Sequence, residues 1–472
     1  MNEKFDVIVI GGGPGGTPAA LQLAASGKKV LLVEESGKLG GACLFVGCIP
    51  SKIIKHSADE YFEMGVFDKV DAKTVKTTRQ EIWVKIQQKM DQILNGRSNA
   101  AIQQVNQMPM TFIAGKVRFV SNKEVEINQH HFWFDKAIIA TGAHSFVPPF
   151  KGDGVSEVLT SEVLFRQPSL PDSMTIIGGG PIGIELAQML NKLHVKCSVI
   201  EMMPSLLSGI VEPEFAAQLT KKLQESGIDV FVNAKVEEIN KNGAGYETVF
   251  VDSEGKSNRT NADKVLVVTG KIPTLEGLNL EATTIRFDRH GIMVDEFMET
   301  SVRGIYATGD VVAGTPKFAH TATYESHIVA ANILHDNISK ACFTKNSWVL
   351  FSDPELASAG MTEAEAVKAG FDVMTGTYDY AIDAMAQISG DTYGRLKFIV
   401  NRHNQEILGV HIFLNGAASL SGEATLIVSK RMTLTEVARA VHSHPTFTEA
   451  FGFLALKMLS DYKFQNAEID RG

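Results

Sequence analysis

The sequence predicts an α/β protein with two Rossmann-like dinucleotide-binding domains, followed by a separate C-terminal domain. A strand, a glycine-rich turn, a helix, a second strand and an acidic residue follow one another twice in the 472 residues. In both copies, Gly11 to Glu34 and Gly178 to Glu201, the acid follows the first glycine by 23 residues. From about residue 347, longer strand and helix patterns replace this order, which indicates another domain.

The first copy begins with a β-branched strand pattern and continues into an Ala-rich helical pattern. In its turn, Gly11 permits a tight bend, Gly13 lets the backbone approach a pyrophosphate, and Gly16 lets the helix pack on the strand. A pyrophosphate would lie at the N-terminus of this helix, where unpaired amides favour anions. We expect Glu34 to accept hydrogen bonds from an adenosine ribose.

The second copy has its glycines at Gly178, Gly180 and Gly183 and its acid at Glu201. A carboxylate at this position binds a free 2′-hydroxyl and repels a 2′-phosphate. No arginine stands in residues 202–204 to hold such a phosphate. The second copy therefore favours NAD over NADP, although the glycines alone do not decide which copy binds which dinucleotide.

Composition and charge exclude several classes of function. The formal net charge is −9 with both signs interspersed, so the chain has no basic stripe for a nucleic acid. No apolar run reaches the roughly 18 to 20 residues that span a bilayer, and the first residues do not resemble a signal peptide. We expect a cytoplasmic protein with reduced thiols, no membrane partner and no metal site.

A close cysteine pair, Cys43 and Cys48, is the strongest candidate for chemistry. In a regular helix, residues five apart lie roughly 8 Å from each other, beyond the approximately 7 Å limit for a disulfide. The segment should therefore be distorted, as Gly47 and Pro50 permit, with a regular helix beginning after Pro50. Lys52 and the helix N-terminus would stabilise a thiolate, which favours a redox pair over two small buried residues.

The other two cysteines lack these surroundings. Cys197 lies in a predicted strand and Cys342 near a predicted domain junction. A free cysteine without charged neighbours commonly behaves as a small hydrophobic residue. We expect both to be structural.

Motifs spread over the whole chain support one family. They are the glycine turns at residues 11–16 and 178–185, the cysteine segment 41–52, residues 140–142, Gly270, the stretch 300–310, and His442-x-His444-Pro445-Thr446-x-x-Glu449. Together they resemble the class I pyridine nucleotide-disulfide oxidoreductases, and among these most closely the dihydrolipoamide dehydrogenases. The resemblance implies FAD on the first unit and NAD on the second.

The resemblance also implies which residues contact each cofactor. Asp310 would bind the flavin ribityl chain, Ala319 would lie near the ring, and Lys52 would lie beside the flavin N5 and pair with Glu185. The residues implied for FAD are Gly11, Gly13, Gly16, Glu34, Lys52, Gly115, Thr141, Gly142, Asp310 and Ala319. Those implied for NAD are Gly178, Gly180, Gly183, Glu201, Val236 and Gly270.

The family further implies the roles of the reacting groups. Cys48 would face the flavin as the charge-transfer thiol, and Cys43 would exchange with the substrate. His444, oriented by Glu449, would serve as base and acid in thiol–disulfide exchange. In the family this dyad reaches the disulfide of the other subunit, so the resemblance implies a homodimer.

Two further histidines, His320 and His442, also match family positions. We expect packing or hydrogen bonding from them, not proton transfer.

Four domains are expected from these assignments. They are an FAD-binding domain at residues 1–147, an NAD-binding domain at 148–270, a central domain at 271–346 that returns to the FAD unit, and an α+β dimerisation domain at 347–472. Residues 78–107 suggest long polar helices. In the last domain the patterns predict strands at residues 395–400 and 406–413. They predict helices at residues 417–431 and 434–441.

The expected activity is an FAD-dependent oxidation of a dihydrolipoyl dithiol with reduction of NAD, on a lipoyl-bearing protein or a small dithiol, serving redox homeostasis. Two alternatives stay open: an NADH-dependent reductase of another small disulfide, and a redox-inactive structural flavoprotein. Mercuric reductases and large thioredoxin reductases add a second cysteine pair near the C-terminus, whereas no cysteine follows Cys342. The lipoyl assignment is weakened by five departures from the usual pattern, Ala42, Phe45, Lys271, Thr274 and Ser326.

Overall fold

The structure, a computed structural model, describes residues 3–469, with side chains as far as residue 462. The extreme ends of the predicted first and last domains, residues 1–2 and 470–472, lie outside the described residues. The helices are α1 (Thr17–Ala25), α2 (Gly41–Phe45), α3 (Cys48–Glu63), α4 (Ala72–Asn106), α5 (Ser161–Leu164), α6 (Pro181–Lys192), α7 (Pro213–Glu225), α8 (Ala319–His335), α9 (Glu363–Lys368), α10 (Ala384–Ser389), α11 (Ala417–Ser429), α12 (Leu434–Ala438) and α13 (Glu449–Ile469).

The strands complete the element order. They are β1 (Glu3–Ile10), β2 (Val30–Glu34), β3 (Met110–Ala114), β4 (Val117–Ser121), β5 (Glu124–Ile127), β6 (His130–Ile139), β7 (Ala143–Ser145), β8 (Ser173–Ile177), β9 (Lys196–Ile200), β10 (Asp229–Phe231), β11 (Lys235–Asn242), β12 (Gly245–Val251), β13 (Ser257–Ala262), β14 (Lys264–Val267), β15 (Lys271–Pro273), β16 (Phe287–Asp288), β17 (Gly291–Ile292), β18 (Ile305–Ala307), β19 (Ser347–Leu350), β20 (Leu356–Gly360), β21 (Val373–Asp379), β22 (Arg395–Asn401) and β23 (Ile407–Phe413). The predicted α/β fold class is confirmed.

The described chain divides into two compact units. The first unit comprises residues 3–178, 189–200 and 234–343, and the second comprises residues 179–188, 201–233 and 344–469. The four domain boundaries expected from the sequence stay predictions.

A mainly parallel sheet forms the centre of the first unit, with strand order β3-β2-β1-β6 and with β5 and β4 added antiparallel beyond β6. The apolar residues of β1 pair with β2 on one side and with β6 on the other, and most are buried. Such continuous apolar runs suit parallel strands that are covered on both faces. β18 pairs with the end of β6, so the chain returns to this sheet after residue 270.

A second parallel arrangement in the first unit consists of β14, β8 and β9, side by side in that order. The second glycine turn follows β8, as the sequence predicts, and β9 has the predicted bounds. An antiparallel sheet, β11-β12-β13, belongs to the same unit. Helix α4 begins earlier than the polar pattern suggests, because the Asp71 side chain caps it by accepting the Thr74 N–H at 3.0 Å.

The second unit contains an antiparallel sheet of order β19-β20-β23-β22-β21, packed against α11 and α13 around a common apolar core. Two predicted helices end early. Helix α11 stops at Ser429 rather than 431, where Arg431 adopts a left-handed backbone with φ of 56°. Helix α12 stops at Ala438 rather than 441, because Ala440 donates to the Val437 carbonyl and tightens the turn.

A cluster of four charges in the second unit has a buried ion pair, Lys397 and Glu212, at its centre. The Lys397 ammonium donates to Glu212 at 2.6 Å, Glu214 at 2.9 Å and Glu363 at 3.0 Å. The side chains of Lys397 and Glu212 are 7% and 2% exposed. Burial would lower the pKa of Lys397, but the hydrogen bonds to the three carboxylates outweigh it and raise this pKa.

We predict that Lys397→Met destabilises the protein by about 3–5 kcal/mol, because it leaves the buried Glu212 carboxylate without its cation. Chemical denaturation followed by circular dichroism measures the change. Lys221→Met is the matched control, since Lys221 is 77% exposed and lies 3.7 Å from Glu225 on the surface of α7. The control should shift stability by less than about 0.5 kcal/mol. Equal losses in the two variants would contradict the role given to the buried ion pair.

Candidate functional site

The first glycine turn joins β1 to α1 in the geometry that the sequence predicts. Gly11 has φ of +113°, and a Cβ there would lie 2.2 Å from the Ala140 carbonyl oxygen. A Cβ on Gly16 would lie 2.0 Å from the Gly11 carbonyl oxygen. Helix α1 begins at Thr17, directly after the turn, so the turn lies at the positive end of the helix dipole.

Glu34 is fixed beside this turn. Its Oε2 accepts the Gly12 N–H at 2.8 Å, and its Oε1 accepts the Ser36 hydroxyl at 2.9 Å. The carboxylate is thus held where it can accept hydrogen bonds from a ribose.

The second turn repeats this arrangement. The Oε2 of Glu201 accepts the Gly179 N–H at 2.6 Å, and its Oε1 accepts the Met203 N–H at 2.7 Å. Gly180 and Gly183, like Glu201, belong to the second unit, whereas the remaining residues implied for NAD, Gly178, Val236 and Gly270, belong to the first. Their assembly into one nucleotide site stays a prediction.

The structure brings other residues implied for FAD to the first turn. The Gly115 N–H donates to the Glu34 carbonyl at 3.1 Å, and Thr141 follows Ala140, whose carbonyl lies against Gly11. The hydroxyl of Thr308 donates to the Gly15 carbonyl at 2.9 Å. This bond brings the short 3-10 helix Gly309–Val311, which contains Asp310, against the first glycine turn.

Gly142 and Ala319 are also in the first unit. Gly142 follows β6 with φ of +71°, and Ala319 is the first residue of α8, after the loop that follows Asp310. The Thr141 hydroxyl donates to the Thr274 carbonyl at 2.7 Å and so ties this segment to the strand β15 region. The residues implied for FAD all lie in the first unit, and their assembly into one FAD site stays a prediction.

The residues at the first turn fit FAD. Thr17 Oγ1, at the start of α1, is buried and has no hydrogen-bond partner among the described residues. The cysteine segment passes close over the turn, since a Cβ on Gly41 would lie 2.7 Å from the Gly13 Cα, and the Gly40 N–H donates to the Gly12 carbonyl at 2.8 Å. The unpartnered hydroxyl at the turn and the Glu34 carboxylate suit the polar groups of this cofactor, and the thiol segment lies next to them.

The cysteine segment is distorted, as predicted, but its second helix begins earlier than expected. Helix α2 ends at Phe45, and Gly47 interrupts the helical conformation with φ of −142° and ψ of −107°. Helix α3 then begins at Cys48 rather than after Pro50. Proline is tolerated in the first helical turn because amides there lack an intrahelical partner. Cys48 therefore occupies the N-terminus of α3, where the helix dipole stabilises a thiolate.

Cys43 and Cys48 are free thiols that interact with each other. A hydrogen bond from Cys43 lowers the pKa of Cys48 to about 7, against the effect of burial, and the charges of Lys52 and Lys271 lower it further. The same hydrogen bond, followed by burial, raises the pKa of Cys43 above its usual range. Cys48 is therefore the more acidic of the two thiols, and Cys43 is the one that keeps its proton near neutral pH.

Two cations near this pair were missed by sequence reasoning. Arg97, on α4, opposes the rise in the pKa of Cys43, and Lys271, noted in the sequence only as a departure, lowers the pKa of Cys48. Arg97 lies far along the chain and carries no motif. Only the packing of α4 against α2 and α3 places it here.

The remaining cysteines differ from each other. Cys197 is buried in β9, and burial raises its pKa, which fits a structural role. Cys342 is exposed, with its N–H donating to the Tyr324 hydroxyl at 3.0 Å. It therefore does not pack as the small buried residue that we expect from the sequence.

The predicted dyad forms within the second unit. His444 Nδ1 lies 3.0 Å from Glu449 Oε1 and 3.1 Å from its Oε2. The Thr446 N–H donates to the same carboxylate at 2.9 Å and, followed by His444, lowers the pKa of Glu449. The carboxylate is 12% exposed and the imidazole 72% exposed. With Nδ1 engaged, Nε2 is the ring nitrogen that would exchange a proton.

The other family histidines make the contacts expected of them. His442 Nε2 lies 2.7 Å from Glu423 Oε1. The His320 ring stacks on Phe318, with the ring centroids 5.2 Å apart. The pair of His442 and Glu423 differs from the dyad in exposure, since the side chain of His442 is 13% exposed and that of His444 is 72% exposed.

The expected pair of Lys52 and Glu185 stays a prediction. Lys52 lies on α3 in the first unit, one turn after Cys48. Glu185 lies in the second unit, where its Oε1 accepts the Phe351 N–H at 2.9 Å.

Two dinucleotide-binding turns and a thiol–thiolate pair define an oxidoreductase that moves electrons between nucleotides and thiols. The chain belongs to the pyridine nucleotide-disulphide oxidoreductase family, whose model matches residues 5–326. The model of the family's dimerisation domain matches residues 346–455, which supports a homodimer. The family and its dihydrolipoyl dehydrogenases use FAD and NAD(H), as predicted.

Three known proteins illustrate the similarity. A dihydrolipoyl dehydrogenase from Thermus scotoductus is 33% identical over 460 residues, which are 95% of this chain and 96% of that protein. A mercuric reductase from Staphylococcus aureus is 28% identical over 97% of this chain and 83% of its own length. The Cu(II) complex of the HOCl-induced flavoprotein disulfide reductase RclA from Escherichia coli has a TM-score of 0.83 and 25% identity, covering 96% of this chain and 99% of that one.

Two features are absent from the described residues. Within residues 3–469, no helix combines the length and apolar character needed to cross a membrane. Among the described side chains, those of residues 3–462, no group of three or more His, Cys, Asp or Glu is placed to hold a metal ion.

We predict that Cys43→Ala raises the pKa of Cys48 from about 7 toward the ordinary value near 8.5, because the donor thiol is lost. Alkylation of Cys48 by iodoacetamide, followed by peptide mass spectrometry across pH, should then be roughly tenfold slower at pH 7. Cys43→Ser is the matched control, since its hydroxyl keeps a donor and should keep the pKa nearer 7. Superimposable pH profiles for Ala and Ser would show that the hydrogen bond does not set this pKa.

Proposed function

We propose that this protein is an NAD-dependent dihydrolipoyl dehydrogenase that uses Cys43 and Cys48 as its redox pair. The observation that carries the proposal is the pair of free thiols on either side of the helix interruption at Gly47, where Cys48 begins α3 and has its pKa lowered to about 7 by Cys43. The oriented imidazole of His444 supplies the acid–base group that dithiol exchange requires. The similarity to dihydrolipoyl dehydrogenases over 95% of the chain supports the same activity.

In this mechanism the enzyme starts with a Cys43–Cys48 disulfide. His444 accepts a proton from the substrate dithiol, and the resulting thiolate attacks Cys43 Sγ, which breaks the disulfide and releases Cys48 as a thiolate. As the second substrate sulfur displaces Cys43 and closes the substrate disulfide, the protonated His444 gives its proton to Cys43 and takes up the proton of that second thiol. Two electrons and one proton then remain on the pair, and the other proton leaves through His444.

The chain's own residues would hold the cofactors for this reaction. The first glycine turn and Glu34 would bind the pyrophosphate and adenosine ribose of FAD, and Asp310 would bind its ribityl chain. Glu201 would bind the 2′-hydroxyl of NAD, which favours NAD over NADP. When bound, FAD supplies the two-electron carrier between the thiols and NAD. Lys52 and Lys271 would keep Cys48 as the thiolate beside it.

By resemblance, His444 of one subunit would serve the cysteine pair of the other, so that the homodimer is the active form. The strong exposure of the imidazole, 72%, is consistent with a partner beyond the unit that holds it. A lipoyl-bearing protein is the proposed partner, and the cytoplasm is the proposed location.

A reductase of another small disulfide is the second candidate. The similarity to a mercuric reductase and to RclA favours it, since neither protein is named for a lipoyl substrate. Phe45, between the two cysteines, is half-buried, with the Lys38 ammonium 5.6 Å from its ring centroid. An aromatic ring at this point would narrow the approach to Cys43. A second C-terminal cysteine pair, expected of mercuric reductases, is absent from the sequence, since no cysteine follows Cys342.

We predict that the purified holoenzyme reduces NAD rapidly with free dihydrolipoamide and that Cys48→Ser loses this activity, because the electron pair must pass through Cys48. A steady-state absorbance assay at 340 nm measures it, run beside NADP and beside glutathione disulfide with NADH. A failure with lipoamide in both directions, while NADH still reduces the bound flavin, would remove the lipoyl assignment. Activity with another disulfide would then support the second candidate.

A further variant separates the two half-reactions. We predict that His444→Gln slows reduction of the enzyme by dihydrolipoamide by about 10²- to 10⁴-fold, because the substrate thiol loses its base. Reduction by NADH should change less than about twofold, since that step needs no proton from the dyad. Anaerobic stopped-flow absorbance measures both rates, with His442→Gln as the control. A variant that slows both half-reactions equally would assign His444 a structural role.

A further inference from the structure

A buried carboxylate lies behind the Gly309–Val311 turn. Glu325 is in the second turn of α8, and its residue is 0% exposed. Its Oε2 accepts the Gly309 N–H at 2.5 Å. Gly309 has φ of +75°, and a Cβ there would lie 3.3 Å from the Cβ of Ala322 on α8. The turn that contains Asp310 therefore rests directly on α8 and is tied to it by Glu325.

The adjacent residue of α8 makes a second contact of the same kind. The buried Ser326 hydroxyl accepts the Ala19 N–H at 2.8 Å. Ala19 is the third residue of α1, so its amide is among those that have no partner within the helix. Ser326, which departs from the usual family pattern, thus fixes the start of the helix that follows the first glycine turn.

The two contacts join opposite ends of the region implied for FAD. Ser326 holds the helix at the pyrophosphate end, and Glu325 holds the turn at the ribityl end. A direct bond between these ends, from the Thr308 hydroxyl to the Gly15 carbonyl, closes the arrangement. We call Glu325 and Ser326 the α8 clamp.

Glu325 is costly to the folded protein, which argues that it does more than fill the core. Its Oε1 is buried beside the hydroxyl of Thr315, which lowers the pKa of Glu325, and the two atoms have no other hydrogen-bond partner among the described residues. Burial raises the pKa of Glu325 to about 7, against the Gly309 hydrogen bond and the charge of Lys317, while Asp310 raises it further. Lys317 donates from Nζ to the Val312 carbonyl at the edge of the same turn. An apolar side chain would avoid the cost of a buried carboxylate.

We propose that the α8 clamp positions FAD by fixing the separation between the first glycine turn and the turn that presents Asp310. Glu325 and Ser326 act through Gly309 and Ala19, so both are positioning residues. The inference rests on the proposed binding of the ribityl chain at Asp310. It adds Glu325 and Ser326 to the residues on which FAD binding depends.

The test measures FAD binding separately from stability. Apoprotein is titrated with FAD by fluorescence, and its Tm is recorded without FAD, for Glu325→Ala, Glu325→Gln and Ser326→Ala. Asn332→Ala is the matched control, because Asn332 is also a 0% exposed residue of α8, with Nδ2 donating to the Phe297 carbonyl at 2.9 Å and the Ser339 carbonyl at 2.8 Å.

We expect Glu325→Ala and Ser326→Ala to raise the Kd for FAD at least tenfold, whereas Asn332→Ala lowers the Tm with a change in Kd below about threefold. Glu325→Gln keeps a carbonyl oxygen that accepts from Gly309, so its Kd should stay within about threefold of the wild type. Hydrogen–deuterium exchange of peptides covering residues 306–312 should be faster in Glu325→Ala than in Asn332→Ala, which tests the clamp even if FAD binding is too weak to titrate.

Asp310→Ala in the same titration separates the two proposals. If Asp310→Ala weakens FAD binding and neither clamp variant does, the clamp is overturned and the proposed site stands. If Asp310→Ala also leaves the Kd unchanged, the proposed placement of FAD at this turn falls. The clamp would also be overturned if the increase in Kd for FAD were proportional to the decrease in Tm, with the same ratio in Glu325→Ala and Asn332→Ala.

Discussion

The hydrogen bond from Cys43 to Cys48 is the interaction on which the candidate chemistry depends. Two sulfurs five positions apart cannot meet on a regular helix, so the chain interrupts the helix at Gly47 and starts α3 at Cys48. This break has two effects at once. It brings the sulfurs within hydrogen-bonding range, and it places Cys48 at a helix N-terminus, where the dipole and Lys52 favour negative charge.

The two glycine turns share a second feature. In each, a carboxylate accepts a hydrogen bond from the backbone N–H of the residue after the first glycine. Gly12 donates to Glu34 at 2.8 Å, and Gly179 donates to Glu201 at 2.6 Å. Each acid is fixed before any ribose binds, so little side-chain freedom is lost on binding. In the second turn, this hydrogen bond fixes the position of the Glu201 carboxylate, which would oppose a 2′-phosphate. A local hydrogen bond is thereby linked to the choice between NAD and NADP.

Local patterns account for the elements that the sequence predicted well. The glycine turns, the acids that follow them and the strand at residues 196–200 depend on neighbours within one βαβ segment. The start of α3 at Cys48 was missed because Pro50 suggests a later beginning, although proline is tolerated in the first turn. Arg97 and Glu325 were missed because their roles arise from contacts between distant segments, the packing of α4 near Cys43 and of α8 behind Gly309. No local pattern marks such residues.

The difference in pKa between the two thiols also explains why only one of them needs a base. In the proposed exchange, a Cys48 thiol with a pKa of about 7 leaves readily as a thiolate and needs no acid. Cys43, whose pKa is raised, is the stronger nucleophile once deprotonated but seldom loses its proton unaided. In the reverse direction Cys43 must therefore be deprotonated by His444, and the ionised Glu449 stabilises the imidazolium that forms. In this proposal the dyad serves Cys43, the sulfur that would meet the substrate.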